Sequence, residues 1–540
     1  MKKRFSIPLM LTIFVVAFVG GIMVNHVISG DNIYEQLSKF KDVLSLTEKY
    51  YVEDVDSQKL TEDAINGLLG NLDPHSVYIK QSQMQRVTED FQGKFEGIGV
   101  EFSVVSDTIT VVQPIGGGPS ASLGIMANDK IVKIDGKSAI GFTNDQVMKG
   151  LKGPKGTKVA VSIVRSGIKD LLEFEIIRDV IPLYSVDASA MLNDKVGYIN
   201  VTRFAETTNK EMVAALQKLK SQGMKELILD LRLNPGGYLD QAVKMADIFL
   251  DASSDGSPRK VVYTKGRRTE FNEEYFAYTN NEFEKLPLII MLSNGSASAS
   301  EIVSGAIQDW DRGLIVGETS FGKGLVQRQF PLSDGSALRL TIARYYTPSG
   351  RLIQRSYKDG KDKYEVEAFT REEKEGENIE HKESSADSIH PKFKTANGRV
   401  ILGGGGITPD FIIKPGTLTK YSVALNRRNL FLEFVSHYLS TNGESIKNRY
   451  KGNLSEFIKK FDIDEETMNN FVVFTKDKKV EFVQDDFKKD KDFIQSRLKA
   501  YIARNYWGNE GWTLSNLPVD TQLEKAMSLF PEAQKIARLN

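Results

Sequence analysis

The sequence predicts an α/β core that follows a compact β-rich domain, with helical regions at both ends of the chain. Between residues 196 and 345, apolar strand patterns alternate with helical patterns, which is typical of a sheet with crossover helices. Residues 92–180 carry short β-rich runs separated by Gly, Pro and Asp-Gly turns. Apolar residues at helical spacing occupy 31–91 and the last 120 or so residues.

Length and composition limit the classes of function that are possible. The chain has 540 residues, 41% hydrophobic and 26% charged, which indicates about three or four domains and excludes collagen, a wholly disordered chain and a multi-span membrane protein. Lys+Arg and Asp+Glu both number 71, so no global basic field is available and no nucleic-acid partner is expected. The absence of cysteine removes disulfides, thiolate metal sites and cysteine nucleophiles.

The first thirty residues predict export. Lys2, Lys3 and Arg4 precede an apolar stretch at residues 7–24 whose only polar side chain is Thr12. As a helix this stretch would span about 27 Å, enough to cross a bilayer. No convincing small-x-small cleavage site follows, so we expect an uncleaved anchor, with a cleaved signal as the alternative. The rest of the chain is then expected on the periplasmic side of the inner membrane.

The remaining boundaries follow changes in composition and periodicity. A segment rich in charge and poor in large apolar groups, residues 356–400, is expected to be a loop, lid or disordered insertion. The predicted segments are 1–30 anchor or signal, 31–91 helical N-terminal region, 92–180 β-rich domain, 181–355 core, 356–400 charged insertion, 401–417 core return segment and 418–540 helical C-terminal domain.

Three serines lie where an apolar strand turns into a helix: Ser296, Ser298 and Ser300. Such a position exposes a hydroxyl at the end of a sheet, and the helix start offers unpaired N–H groups to a developing oxyanion. The same serines could instead serve only as helix caps and close packing. The pattern alone leaves both interpretations open.

A serine nucleophile needs a base, and the five histidines offer little: they are His26, His75, His381, His390 and His437. Only His75 could reach the core, and its Asp-Pro-His-Ser context predicts a turn, so a Ser-His-Asp site is poorly supported. The other candidate is Lys323, which lies between two glycines after an apolar strand, because burial favours a neutral amine. An isolated lysine of this kind is more often a solvated loop residue.

The motifs together resemble the C-terminal processing peptidases, also called tail-specific proteases, which are Ser-Lys endopeptidases with a PDZ domain. The resemblance covers most of residues 35–415 and rests on three stretches: Ser-Ala-Ser-Ala-Ser-Glu at 296–301, Gln-Asp at 308–309 and Ser-Phe-Gly-Lys-Gly-Leu-Val-Gln at 320–327. It implies a crotonase-like α/β core. The chain departs from the family at Ser320, where threonine is common.

The resemblance also implies residue roles. The family's nucleophile and general base fall on Ser298 and on Lys323, 25 residues later. Gln327 matches a glutamine that orients the lysine, and Asp309 matches an aspartate with a supporting role.

A second stretch resembles the family's oxyanion loop. Asp-Leu-Arg-Leu-Asn-Pro-Gly-Gly occupies residues 230–237, where glycine N–H groups can approach a carbonyl oxygen. The resemblance implies an oxyanion hole built from the amides of Gly236 or Gly237 and of Ala299. Standing alone, this stretch would equally fit a glycine turn at a strand end.

The β-rich domain resembles a PDZ module. Gly97, Ile98, Gly99 and Val100 correspond to its carboxylate loop, whose N–H groups form a nest for a chain terminus, while the next strand accepts the peptide along its edge. Gly-x-Gly alone is weak evidence, and its specificity comes from the accompanying peptidase motifs.

The resemblance implies an exported serine protease that binds unstructured C-terminal tails through its PDZ domain and cleaves them through an acyl-enzyme. We expect neither a metal, since no His-Glu-x-x-His run occurs, nor an organic cofactor. The expected partners are proteins with free C-termini and the membrane; an adaptor or a second copy of the chain stays open. The alternative is a catalytically inert PDZ-bearing scaffold. A lyase or acyl-thioester enzyme on the same core is disfavoured by the peptide-binding module.

Overall fold

The computed structural model describes residues 33–539, apart from 166, 252–255, 279–280, 372 and 382–389. The anchor predicted at 7–24 lies outside this range. None of the helices within it has both the length and the hydropathy needed to cross a membrane. The chain forms two compact units, Met1–Tyr78 and Ile79–Asn540.

The first unit contains two helices, α1 (Ile33–Tyr50) and α2 (Ser57–Gly70). Helix α1 buries none of its residues. Helix α2 begins after Asp56, whose side chain accepts the N–H of Lys59 at 3.0 Å and so caps the helix. These helices confirm the predicted helical N-terminal region.

The bounds of the other elements are as follows. The strands are β1 Val77–Ile79, β2 Lys94–Gly97, β3 Val100–Val105, β4 Thr108–Pro114, β5 Lys130–Ile134, β6 Lys137–Ser138, β7 Lys158–Val164, β8 Leu172–Ile177, β9 Asp179–Pro182, β10 Val186–Met191, β11 Val196–Val201, β12 Glu226–Asp230, β13 Arg259–Gly266, β14 Glu274–Ala277, β15 Leu288–Leu292, β16 Leu314–Gly317, β17 Leu325–Pro331, β18 Ala337–Tyr346, β19 Gly376–Glu377, β20 Lys392–Lys394, β21 Val400–Leu402 and β22 Phe411–Ile412. The further α-helices are α3 Gln81–Gln92, α4 Pro119–Ser122, α5 Asn144–Leu151, α6 Thr208–Ser221, α7 Leu239–Asp247, α8 Ala299–Asp309, α9 Lys361–Thr370, α10 Lys420–Arg427, α11 Leu430–Tyr450, α12 Leu454–Lys460, α13 Glu465–Asp477, α14 Gln484–Lys489, α15 Lys491–Asn516, α16 Thr521–Met527 and α17 Phe530–Ile536.

A seven-stranded sheet in the order β10-β11-β12-β15-β16-β22-β19 forms the core. Strands β11, β12, β15, β16 and β22 are parallel, and β10 and β19 pair antiparallel at the two edges. Strands β12 and β15 are buried along their whole length, as expected for parallel strands covered on both faces. The alternation of strands and helices is confirmed.

The two faces of this sheet are covered by different parts of the chain. Alternate residues of a strand point to opposite faces: Ile290 of β15 packs in one cluster with helices α6, α7 and α8, whereas Ile289 packs in another with the C-terminal helices α16 and α17. The prediction of a separate C-terminal tail is therefore wrong for these last helices, because they complete the core. Helices α10–α15 bury a cluster of their own.

The parallel arrangement places three loops at one edge of the sheet. Strands β12, β15 and β16 end at Asp230, Leu292 and Gly317, and each is followed by one of the motif loops. The carboxyl edge of a parallel sheet is where ligands bind in open α/β folds. An adjacent antiparallel sheet of β17, β18, β13 and β14 flanks the third loop.

The β-rich domain is an antiparallel sheet in the order β3-β4-β5-β7-β8 with helix α5 packed against it. Helix α5 starts with a reciprocal capping box between Thr143 and Gln146. Strand β3 lies at the edge of this sheet and directly follows the predicted carboxylate loop.

The charged insertion differs from its prediction. The expected loop or disorder is wrong for residues 361–370, near the start of the insertion, because helix α9 spans Lys361–Thr370 and buries Tyr364 and Ala368. These two residues stand four apart, so they share one face of the helix. A single apolar face of this size is easily missed in a segment whose other residues are charged.

Candidate active site

The three serines at the start of α8 have different roles. The Ser296 hydroxyl donates to the Leu231 carbonyl (2.8 Å), and the Ser300 hydroxyl donates to the Asn234 carbonyl (2.9 Å); both serines are fully buried. They tie the helix start to the loop that follows β12. Ser298 is half-buried and makes neither of these contacts. Ser296 and Ser300 therefore serve in packing between the two segments, whereas Ser298 is the N-cap residue of α8.

The backbone of Ser298 is held in an unusual conformation. Its φ of 53° and ψ of −110° fall in a region that non-glycine residues rarely adopt, at a cost of about 1–3 kcal/mol that the surroundings must offset. The Ser298 amide donates to Oε2 of Glu301 at 2.7 Å. This bond is one half of a capping box and fixes the turn on which the hydroxyl stands.

Glu301 joins the serine to the loop that carries Lys323. Its Oε2 accepts the amides of Ser298 (2.7 Å) and Lys323 (2.9 Å), and its Oε1 accepts the Ser320 hydroxyl and the Gly322 amide, both at 2.6 Å. The side chain is completely buried. Burial raises the pKa of Glu301, and these four hydrogen bonds oppose that rise.

We call residues 321–324 the lysine loop. The Tyr345 hydroxyl donates to the Lys323 carbonyl at 2.6 Å and lies 3.2 Å from the Ser298 carbonyl. The half-buried Lys323 points its Nζ at Oε1 of Gln327, 3.0 Å away. Glu301 thus links the amides of the serine and the lysine, and Tyr345 lies against their carbonyls.

We call residues 230–237 the glycine loop, and Gly236 lies directly against Ser298. A Cβ added to Gly236 would come within 2.7 Å of the Ser298 Cβ and 2.8 Å of the Ala299 nitrogen. The Gly236 amide itself donates to Asn234 Oδ1 at 2.9 Å. Within the described part of the chain, the N–H groups of Gly237 and Ala299 have no hydrogen-bond acceptor. Of the two predicted glycines, Gly237 is therefore the one with a free donor.

The start of the glycine loop is fastened to the end of the chain. Arg232 pairs with Asp230, and its Nη2 is 2.6 Å from a carboxylate oxygen of Asp520. Tyr198 also donates to Asp230, at 2.7 Å. Asp520 lies in the segment before α16, so the last helices both cover the sheet and hold the loop.

Asp309 lies at the opposite end of α8 from Ser298. Eleven residues of helix place it about 16 Å away along the axis, too far to touch the reacting atoms. It is buried, pairs with Arg351 at 2.7 Å and accepts the Ser349 amide at 2.9 Å. Its supporting role is structural, since it ties the end of α8 to the segment after β18.

Three of the described histidines have identified hydrogen-bond or ion-pair partners. The amide of His75 donates to Asp73 Oδ1 at 2.9 Å, which confirms the predicted turn. His381 is buried, with Nε2 3.5 Å from Asp410, and His390 Nδ1 lies 3.1 Å from the Gly403 carbonyl. Among the described residues, no group of three or more His, Cys, Asp or Glu side chains is arranged to hold a metal.

The predicted carboxylate loop presents open N–H groups. The buried Ile98 accepts the Ser120 amide (3.1 Å) and hydroxyl (2.6 Å) at its carbonyl, which fixes the peptide plane. Gly99 has a φ of 73°, and a Cβ there would meet Ile181 at 2.9 Å. Within the described residues, no acceptor faces the N–H of Ile98 or Gly99.

The contacts of Glu301, Tyr345 and Asp520 could not be fully predicted from the sequence. Glu301 is part of the quoted motif, three residues after Ser298, so a cap could have been inferred but not its bonds to the lysine loop. Tyr345 and Asp520 lie outside every motif, and their contacts arise only when distant strands and helices meet.

Fold and site define a class: an α/β peptidase with an attached PDZ domain. Residues 195–360 match peptidase family S41, 97–176 match a PDZ domain, 23–83 match the N-terminal domain of the activating protease CtpB, and 421–508 match a family of unknown function (DUF8443). The chain belongs to the carboxy-terminal processing proteases, as its similarity to the following relatives shows.

A carboxy-terminal-processing protease of Bartonella bacilliformis is 40% identical over 327 residues, which are 60% of this chain and 74% of that protein. The carboxy-terminal processing protease CtpA of Bacillus subtilis is 34% identical over 328 residues, 61% of this chain and 68% of that protein. Among solved structures, a photosystem II D1 C-terminal processing protease is 28% identical and covers 58% of this chain and 89% of its own, with a TM-score of 0.33.

Proposed function

We propose that this carboxy-terminal processing protease works through a Ser-Lys pair, with Ser298 as nucleophile and Lys323 as general base. The observation that supports the pair most directly is that one oxygen of Glu301 accepts the amides of both residues. Two amides that share an acceptor atom are neighbours in space, although 25 residues separate them in the sequence.

In the proposed reaction the neutral amine of Lys323 takes the proton of the Ser298 hydroxyl as its oxygen attacks the scissile carbonyl. The lysine then gives this proton to the departing amine, and an acyl-enzyme remains. A water molecule, deprotonated in the same way, hydrolyses the ester and frees Ser298. Gln327, whose Oε1 accepts from Lys323 Nζ, orients the amine.

The open amides of Gly237 and Ala299 are proposed to stabilise the tetrahedral intermediate. Both N–H groups lack an acceptor within the described residues, and Ala299 is the first residue of α8, where the helix dipole favours negative charge. Donors already fixed in place need no reorganisation when the oxyanion forms.

The PDZ domain is proposed to bind the unstructured C-terminal tail of a protein substrate. The N–H groups of Ile98 and Gly99 can receive a terminal carboxylate, and the edge strand β3 can pair with the residues before it. Cleavage would then occur upstream of the bound terminus. The basic start of the chain and the apolar stretch at 7–24 support export to the periplasmic side of the inner membrane, with that stretch as anchor.

The test uses the full chain with an unfolded protein substrate whose last residues vary. Ser298→Ala and Lys323→Ala should each remove cleavage, by a factor on the order of 10⁴ or more. His75→Ala is the control, since it removes a histidine that lies in a turn. Cleavage that survives in Lys323→Ala would contradict the proposed base.

Substrate recognition is tested separately. A substrate with a free terminal carboxylate should be cleaved faster than the same chain ending in an amide, and equal rates would contradict recognition of the terminus. The scaffold alternative predicts a different pair of results: binding of the tail by the wild-type chain, and no cleavage that depends on Ser298.

A further inference from the structure

The lysine loop is held by a network that joins two motif residues, Ser296 and Glu301, to residues outside every motif. The N–H groups of Gly322 and Lys323 donate to Glu301, and that of Phe321 donates to the Ser296 carbonyl at 2.8 Å. The remaining backbone groups of the lysine loop bind either Tyr345 or residues after β18.

Gln354 and Arg355 supply three of these remaining contacts. Gln354 Oε1 accepts the Gly324 amide at 2.9 Å. The Arg355 amide donates to the Gly322 carbonyl at 3.0 Å, and Arg355 Nε donates to the Phe321 carbonyl. The Lys323 and Gly324 carbonyls accept from the hydroxyl and the amide of Tyr345 (2.6 and 3.0 Å). Every backbone N–H and C=O of the lysine loop therefore has a partner.

Helix α9 of the charged insertion fixes these two residues. Gln354 Nε2 donates to the Tyr364 hydroxyl at 3.1 Å and to the Arg355 carbonyl at 2.9 Å, so both ends of the amide are engaged and only one orientation satisfies them. The Arg355 guanidinium lies 4.5 Å from the ring centre of Phe321 and 4.3 Å from that of Tyr364. Tyr364 is almost fully buried, and burial raises its pKa to about 12, so the hydroxyl stays protonated at neutral pH.

We propose that Gln354 is a positioning residue for Lys323 and that Tyr364 acts through it, so that helix α9 sets the geometry of the general base. This inference rests on the proposed Ser-Lys function. Gln354 is 8% exposed, and its side chain binds only the lysine loop, Arg355 and α9. It acts on the amine through the Gly324 backbone, one residue after the lysine.

The test measures steady-state kinetics of Gln354→Met, which keeps the shape of the side chain and removes its acceptor. Displacement of the base by a fraction of a side-chain length should lower kcat on the order of 100-fold, with KM changed by less than about twofold. The acid limb of the pH profile of kcat should also move, because the amine changes its surroundings. A variant that has lost only stability would have a lower Tm and an unchanged pH profile.

Tyr364→Phe removes a single oxygen and should lower kcat about fivefold. In the Gln354→Met background the same change should have a smaller effect, since part of it passes through Gln354. The rest passes through Arg355, to which the Tyr364 hydroxyl is also hydrogen-bonded. Tyr357→Phe is the matched control: Tyr357 packs edge-on against Tyr364 at 6.2 Å. Its hydroxyl supplies none of the hydrogen bonds that hold the backbone of the lysine loop, so its kcat should equal that of the wild type.

The outcomes separate the two proposals. Two results would overturn the role of Gln354: a wild-type kcat in Gln354→Met, or effects on kcat that multiply in the double variant. The Ser-Lys function would stand in both cases, provided that Ser298→Ala and Lys323→Ala are inactive. Activity in either of those two variants would instead overturn the Ser-Lys function. Should Gln354→Met fail to fold, Tyr364→Phe with its pH profile decides the question alone.

Discussion

The lysine loop and the glycine loop flank the same helix start but treat their backbone groups in opposite ways. Every N–H and C=O in the lysine loop has a protein partner. Beside the glycine loop, the N–H groups of Gly237 and Ala299 have none among the described residues. Ala299 is fully buried, where a donor without an acceptor costs free energy, whereas Gly237 is exposed. In the proposed reaction, protein partners hold the backbone around the base, and the two oxyanion donors remain open to a substrate oxygen.

The loops are also held by different parts of the chain. Glu301, Tyr345 and Gln354 hold the lysine loop, and the last two belong to β18 and the segment after it. The glycine loop is fastened at its start by Arg232, which reaches Asp520 near the end of the chain. Perturbing the lysine loop should therefore affect the base, and perturbing the glycine loop should affect stabilisation of the intermediate.

Among changes to the two loops and their supports, the largest expected effect comes from displacing the N–H of Gly237. An added Cβ in Gly237→Ala would lie 2.1 Å from the Phe204 carbonyl oxygen, so the loop must move and its N–H must turn away. Loss of one oxyanion donor lowers kcat on the order of 100- to 1,000-fold, as steady-state kinetics would show. Gly223→Ala is the control: its φ of +94° imposes a similar backbone strain, but its Cβ would meet nothing within 4 Å. Equal losses in the two variants would indicate strain alone.

Glu301→Gln should have the next largest effect, because it breaks the link between the serine and the lysine loop. Each oxygen of Glu301 accepts two donors, so two of the four would face an amide NH₂ group. The Ser320 hydroxyl can turn to accept, but at least one buried N–H is left unsatisfied at a cost of about 1–3 kcal/mol. We expect kcat to fall on the order of 100-fold. Asp410→Asn is the control, since Asp410 is equally buried but bound to Arg399 and His381; it should lower stability and leave kcat of the folded protein nearly unchanged.

The two carboxylates also predict opposite pH dependence of stability. Because the folded pKa of Glu301 is raised, its stabilising contribution is present below pH 4.5 and is lost as pH rises through the folded pKa. The pKa of Asp410 is lowered to about 2, chiefly by His381 and Arg399 acting against burial, so its contribution is present above pH 3.8 and is lost as pH falls towards 2. Denaturant unfolding of wild type and Glu301→Gln between pH 4.5 and 8 should show their free-energy difference fall as pH rises; a constant difference would contradict this assignment.

The smallest effect is expected at Asp520, which pairs with Arg232 of the glycine loop. Asp520→Asn removes the charge opposite Arg232, which keeps its pairing with Asp230. We expect kcat/KM to fall about fivefold, the effect of one charge-assisted hydrogen bond. Glu524→Gln removes the same charge from an exposed position on α16, the helix that Asp520 caps, and its kcat/KM should match the wild type. An equal decrease in both variants would indicate a general effect of charge.

Predictions from the sequence were most accurate where chemistry and local pattern coincide. The serine at the strand-to-helix turn, the glycine loop after a buried strand and the β-rich domain all rest on short-range spacing, and the structure has the corresponding elements. Within the serine cluster, the residue pattern left capping and chemistry open, and only the family resemblance singled out Ser298. The structure adds that Ser296 and Ser300 bond across to the glycine loop.

The sequence by itself determined the alternation of strands and helices in the core, because periodicity is a local property of the chain. Through the resemblance of its motifs it also determined the peptidase family and the residues proposed for catalysis. The tertiary structure decided that helix α9 supports the lysine loop and that the last helices cover the second face of the core sheet. Both arrangements join residues far apart in the chain. A pairing such as Arg232 with Asp520 leaves no periodic pattern, since its free energy arises only when packing brings the two charges together.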